Sequence, residues 1–238
     1  MKKLLIMTAL LTAFSTQIFA KDNFSGPYVG FQLGYGDGRD RGYETTDGES
    51  NGFTQKTSPD GILLGVNAGF NKVFQDKYLL GLEADLEGRH MDHQSLQIAD
   101  GEYSTEDPVK TKVAASASLR LKAGYLFNET SLGYLTTGLT SAKIKRSFSY
   151  IDTDNDVEEE DGCYGCTISQ NSWQTGWTVG AGFEKTILEK LSARIEYRYS
   201  DFGSQNISTQ NLYAADSPTS EKQSYTENTL RMGLNYHF

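Results

Sequence analysis

Long apolar runs are missing from this chain of 238 residues. Beyond the first twenty residues, no segment nears the roughly 18 consecutive apolar residues of a membrane-spanning helix, which excludes a helical membrane protein. Hydrophobic residues make up only 37%, less than in a typical globular domain. Cysteine appears twice, histidine three times and proline four times. Scarce proline suits a backbone that donates into strand ladders throughout. Excess positive charge is also missing: the formal net charge is −9, and there is no basic stripe, so nucleic acid is not an expected partner. No cofactor is implied.

What is present at the start is a charged pair, Lys2 and Lys3, then an apolar stretch from Leu4 to Phe14, then Ile18-Phe19-Ala20 before Lys21. The stretch is too short to span a bilayer as a helix and has the layout of a secretory signal. Residues 1–20 are therefore expected to be cleaved and residues 21–238 to form one β domain. Loss of Lys2 and Lys3 takes the net charge from −9 to −11.

The rest of the chain is dominated by alternation. From Leu230, every second residue is apolar: Leu230, Met232, Leu234, Tyr236 and Phe238. Period-2 patterning marks further strands near 27–36, 61–71, 78–88, 112–126, 132–146, 173–186 and 191–202. On the 132–146 segment Leu135, Thr137 and Leu139 share a face, whereas Ala142 and Ile144 have the other parity, which predicts a bulge there. The connections alternate in length. Segments 37–60, 89–111, 147–172 and 203–224 are long; 72–77, 127–131 and 187–190 are short. A sandwich has no reason to alternate so. An eight-stranded antiparallel up-and-down transmembrane β-barrel does, with short periplasmic turns and four long surface loops. Tyr35, Phe70, Tyr78, Tyr125, Trp177, Tyr197, Tyr199, Tyr236 and Phe238 fall near strand ends on the apolar face, as interfacial girdles would.

The opposite face is ionised. Glu83, Asp85 and Glu87 share a face, as do Arg120 and Lys122, and Arg194, Glu196 and Arg198; Glu184 and Arg231 join them. An eight-stranded barrel is only wide enough inside for its own side chains. Charges there need partners, because desolvation costs several kcal/mol per ion. Carboxylates among as many cations read as a structural network rather than an acid–base pair. A narrow ion path through that network is the competing reading.

Several smaller features stand apart. Cys163 and Cys166 are disulfide candidates in a secreted chain; zinc, redox and free-thiol readings remain open beside that one. Asp152, Asp154 and Asp156 precede the acidic run from Glu158 to Asp161, but Val157 stands where a calcium loop needs glycine, and Cys163 where it needs glutamate. His90 and His93 lie at the end of the third segment. Lys143, Lys145 and Arg146 form a basic cluster suited to lipopolysaccharide phosphates.

Gly176-Trp177-Thr178-Val179-Gly180-Ala181-Gly182-Phe183-Glu184, then Glu196-Tyr197-Arg198-Tyr199-Ser200-Asp201-Phe202-Gly203, with Gly81-Leu82-Glu83-Ala84-Asp85, resembles the small outer-membrane β-barrel family of porin-family and outer-membrane immunogenic proteins. That family is similar to the transmembrane domain of outer membrane protein A and to opacity proteins. The resemblance implies insertion by the barrel-assembly machinery, which reads the terminal strand through Tyr236 and Phe238. It implies no catalytic residues. The expected role is a structural and surface-interaction barrel in the Gram-negative outer membrane, set among lipid and lipopolysaccharide, with host or envelope ligands at its loops. A low-conductance porin is the alternative.

Overall fold

The computed structural model describes residues 23–46, 49–99, 102–149, 167–208 and 219–238. The expected signal, Cys163, Cys166 and the acidic stretch before them lie outside these residues. The described residues form nine strands: β1 (Gly26–Thr46), β2 (Glu49–Thr57), β3 (Asp60–Phe74), β4 (Tyr78–Ala99), β5 (Glu102–Asn128), β6 (Ser131–Ser149), β7 (Thr167–Leu188), β8 (Leu191–Ser208) and β9 (Thr219–His237). All pairings are antiparallel between neighbours, and β1 pairs with both β3 and β9, so the sheet closes on itself. β2 continues the stave of β3 and pairs with the upper part of β1. Pro59, which has no N–H to donate, sits in the break between them, and its carbonyl accepts from the Gly38 N–H at 2.8 Å. The ring thus has eight staves, one of them made of two strands.

The turn between β3 and β4 shows why the short connections are tight. Gln75 and Asp76 both adopt positive φ (51° and 56°), and the Lys77 N–H returns to the Phe74 carbonyl at 3.1 Å. This is the hairpin geometry whose twist matches that of the flanking strands.

The strands run well past the alternating segments seen in the sequence. Pairing of β1 with β9 continues to Thr46↔Thr219, and that of β4 with β5 to Ala99↔Glu102. Much of what reads as loop at 37–60, 89–111, 147–172 and 203–224 is therefore strand. Above the apolar band the outward residues meet water, so their apolar alternation lapses while the ladder persists.

Outward and inward chemistry separate by single residues: Leu121 is 63% exposed and its neighbour Arg120 fully buried. Val29, Phe31, Leu33, Ile62, Leu64, Leu82, Leu119, Leu139 and Leu234 form the exposed band. Of the girdle aromatics, Tyr35, Phe70, Tyr78, Tyr125, Trp177, Tyr197, Tyr236 and Phe238 are exposed; Tyr199 is half-buried against Trp177, ring centroids 5.5 Å apart.

The predicted bulge is not on the 132–146 segment. β6 keeps one register against β7 from Ser131 to Ser149. The slip lies on its partner β5, between Val113 and Ala115. Ala142 and Ile144 have the other parity because they point inward, and the bulge also turns Val113, which the alternation places outside, into the interior.

One seam remains. β7 and β8 pair only up to Trp177↔Asp201, although both strands continue above that point. Gly203, at φ 68°, lies in the register slip of β8 against β9 between Asp201 and Ser204. Across the seam Ser172 Oγ donates to Gln205 Oε1 at 2.8 Å.

Candidate functional site

Reading β5 from its upper end to its lower end gives the order of layers inside the barrel. Val109 belongs to an apolar cluster with Phe148 and Ile207; Thr111 to a polar layer; Val113 to a second apolar cluster; Ser116, Ser118, Arg120 and Lys122 to the ionised middle; Leu126 to an apolar floor. The second cluster joins Val113 to Met91, Ala142, Ile144, Phe202 and Tyr225. The floor joins Leu126 to Phe24, Leu79, Leu132 and Tyr134.

The ionised middle brings together the residues whose parity marked them as inward. Arg120 is at its centre: it ion-pairs with Glu83, with Asp85 at 2.9 Å and with Glu196 at 2.8 Å. Arg194, on the stave opposite Glu83, reaches it at 2.6 Å. Arg198 pairs with Glu196 at 2.8 Å and crosses to Asp85 at 3.3 Å. Arg231 holds Glu87 at 2.7 Å, and Lys122 holds Glu184 at 2.8 Å. Neutral groups fill the remaining lone pairs. Tyr28 Oη donates to Glu83 at 2.5 Å, Gln32 Nε2 to Glu87 at 2.8 Å, and Tyr134 Oη to Glu196 at 3.1 Å. Ionic groups so enclosed persist only when each charge is met and hydrogen-bonded.

Sequence reasoning missed further inward charges, some of them above the ionised middle. Arg89 pairs with Glu87 at 2.7 Å and with Glu227. Arg146 pairs with Asp40 at 2.6 Å. Arg89 continues the spacing of Glu83, Asp85 and Glu87, and Glu227 the spacing of Arg231, so longer strands would have revealed both. Arg146 shares the parity of Ala142 and Ile144; it leaves the outer basic cluster for the interior because β6 has no bulge.

Ser192, His237 and Glu184 also converge at the end of the barrel that carries the short turns, a grouping the sequence reading did not see. Ser192 Oγ donates to Glu184 Oε1 at 2.5 Å, and His237 Nε2 lies 3.1 Å from Ser192 Oγ and 3.3 Å from Glu184 Oε1. A nucleophilic triad needs the acid and the hydroxyl on opposite ring nitrogens. Here one nitrogen faces both, and the serine is fully buried. His90 and His93 are exposed on β4, and no group of three or more potential metal ligands occurs among the described residues.

The terminal aromatics face outward. Tyr236 and Phe238 pack edge to face, centroids 5.4 Å apart, and the Phe238 N–H donates to the Pro27 carbonyl at 3.2 Å where β9 meets β1.

Known proteins share this arrangement. The family described as outer membrane protein beta-barrel domain matches residues 6–238. A 31 kDa outer-membrane immunogenic protein of Brucella melitensis is 27% identical over 99% of this chain and 100% of its own length. A 22 kDa outer membrane protein of Rhizobium leguminosarum is 27% identical over 90% of this chain and 80% of its own. Among solved structures, the outer membrane protein OprG of Pseudomonas aeruginosa superposes with a TM-score of 0.55 at 16% identity, covering 92% of this chain and all of that one, a likeness of fold. The exposed apolar band, the closed antiparallel ring and the family match together place the chain in the Gram-negative outer membrane, as a member of the outer membrane protein β-barrel family.

Proposed function

We propose that this barrel is a structural and surface-interaction protein whose interior is sealed. One observation carries the reading: cations and carboxylates meet across the whole lumen, Arg194 with Glu83 and Arg146 with Asp40 from opposite staves, and apolar clusters lie above and below the ionised middle. An ion that passed the Arg146–Asp40 pair would have to shed water against Met91, Val113 and Ile144 before reaching the ionised middle. The upper storey is built from strands that continue past the membrane toward the exterior. This suits an antigen-like or adhesin-like role, in keeping with the relatives named immunogenic. Outer-leaflet lipopolysaccharide surrounds the wall, and the exposed pair Tyr236 and Phe238 is the signal read by the barrel-assembly machinery. No catalytic role is assigned.

Planar-bilayer recording of the refolded full chain tests the reading. The expected trace lacks steady openings. Steady, salt-dependent openings abolished by Arg120→Gln or Glu83→Gln would overturn the sealed interior and favour the low-conductance porin.

A further inference from the structure

We infer that the outer wall of β5 and β6 binds the phosphates of an outer-leaflet glycolipid headgroup through Lys112, Lys143 and Lys145. Lys112 and Lys145 stand directly opposite each other in the β5–β6 ladder, both exposed. Like charges so placed repel, and a wall gains nothing from them unless an anion comes between. Lys143 lies on the same face of β6. The nearby carboxylate is Asp92 on β4; it faces Lys112 in the ladder but ion-pairs with Lys110 at 3.4 Å, with both side chains about half exposed. Such exposed pairs are weak and readily exchanged.

Height on the wall argues for a lipid headgroup. Leu119 and Leu139 are paired in the apolar band, and Lys143 follows Leu139 by four residues. At about 3.3 Å per residue, less on a tilted strand, that is the distance from hydrocarbon to headgroup. Trp173, opposite Lys143 in the β6–β7 ladder, is 56% exposed at this level, where amphipathic rings favour the interface. Between band and lysines the outward residues are small: Ala115, Ala117 and Ser141. They leave the wall shallow beneath the ammonium groups. The bulge at Ala114 shifts β5 by one residue and sets Lys112 beside Lys145. Arg146, which the sequence groups with these lysines, is turned away and takes no part.

The inference rests on the surface-interaction reading only in taking the lipopolysaccharide leaflet as the surroundings of this face. The test uses the full chain refolded in detergent, with titration calorimetry against diphosphoryl lipid A, fully dephosphorylated lipid A and inorganic phosphate. Diphosphoryl lipid A should bind, and the variant K112Q/K143Q/K145Q should bind it about a hundred-fold more weakly, since each lysine near an anionic surface contributes roughly a five-fold factor. K112R/K143R/K145R should keep most of the affinity. Equal binding of the dephosphorylated lipid, or an unweakened glutamine variant, would overturn the site. Displacement of the lipid by millimolar inorganic phosphate would overturn the headgroup as its source. Heat-modifiable migration on a gel shows whether the variant is folded, and bilayer recording is indifferent to the outcome, so the two readings fail separately.

Discussion

Arg146 and Asp40 sit on opposite staves of the barrel and meet near its axis: Nε lies 2.6 Å from Oδ2, and an Nη donates to Oδ1 at 3.0 Å. Thr111 Oγ1 donates to Asp40 at 2.9 Å and Gln174 accepts from Arg146 at 3.0 Å, so the pair is enclosed by its own hydrogen-bonding shell. A side chain from each wall thus spans the lumen at that level, which supports the sealed interior proposed above.

Removing one partner of this pair strands the other. Arg146→Ala should destabilise the barrel by about 3–5 kcal/mol, and Asp40→Ala by a similar amount. The double variant Asp40→Leu/Arg146→Met should recover most of the loss, because two well-packed apolar groups replace two buried charges. Urea unfolding in detergent micelles, read by the gel shift of the folded form, gives the cycle; additive losses would show that the pair is not coupled.

The outward face is governed by hydrocarbon. Leu121→Arg should cost about 2–4 kcal/mol, the range for a cation near the bilayer midplane. The same exchange at Ser204, exposed on β8 above the band, should change stability by less than about 0.5 kcal/mol. Equal losses at the two positions would place the membrane elsewhere on the wall.

Tyr28 lies over Gly69, and a β-carbon at that glycine would stand only 2.5 Å from Cζ and Oη of the phenol. Gly69→Ala should therefore displace Tyr28 from Glu83 and cost about 1–3 kcal/mol, the range for overpacking. The tyrosine fluorescence or near-UV circular dichroism of the variant should change with it; an unchanged spectrum and midpoint would mean that the ring does not depend on the missing side chain.

The seam between β7 and β8 predicts an uneven exchange pattern. Above Trp177, β7 shares a backbone ladder with β6 alone. Amide hydrogen exchange by NMR should show protection alternating along 167–176, where every second N–H faces the seam, and uniform protection along 177–183. Continuous protection through the upper segment would show that the two strands pair in solution.

Most of the lower barrel was legible in the sequence. Alternation over 27–36, 61–71, 78–88 and the later segments marked the staves, and parity alone sorted Glu83 and Arg120 inward from Leu82 and Leu121 outward. The upper storey was not legible. There both faces of each strand carry polar residues, so period 2 vanishes from the hydropathy although the backbone still pairs. The break at Pro59, which makes nine strands from eight staves, falls within that same stretch.

The residues by themselves determined the class of solvent on each face, because burying an unmatched charge or wetting a leucine is costly wherever the chain lies. They also determined the number of staves, through the alternation of short and long connections. Which charge meets which was decided only by closure of the ring. Arg146 reads as a surface cation until the absence of a bulge on β6 carries it inward to Asp40, and Lys112 joins Lys145 only through a slip on β5. Both outcomes follow from register, and register is settled by how the strands pack, a property of the closed barrel rather than of any one segment.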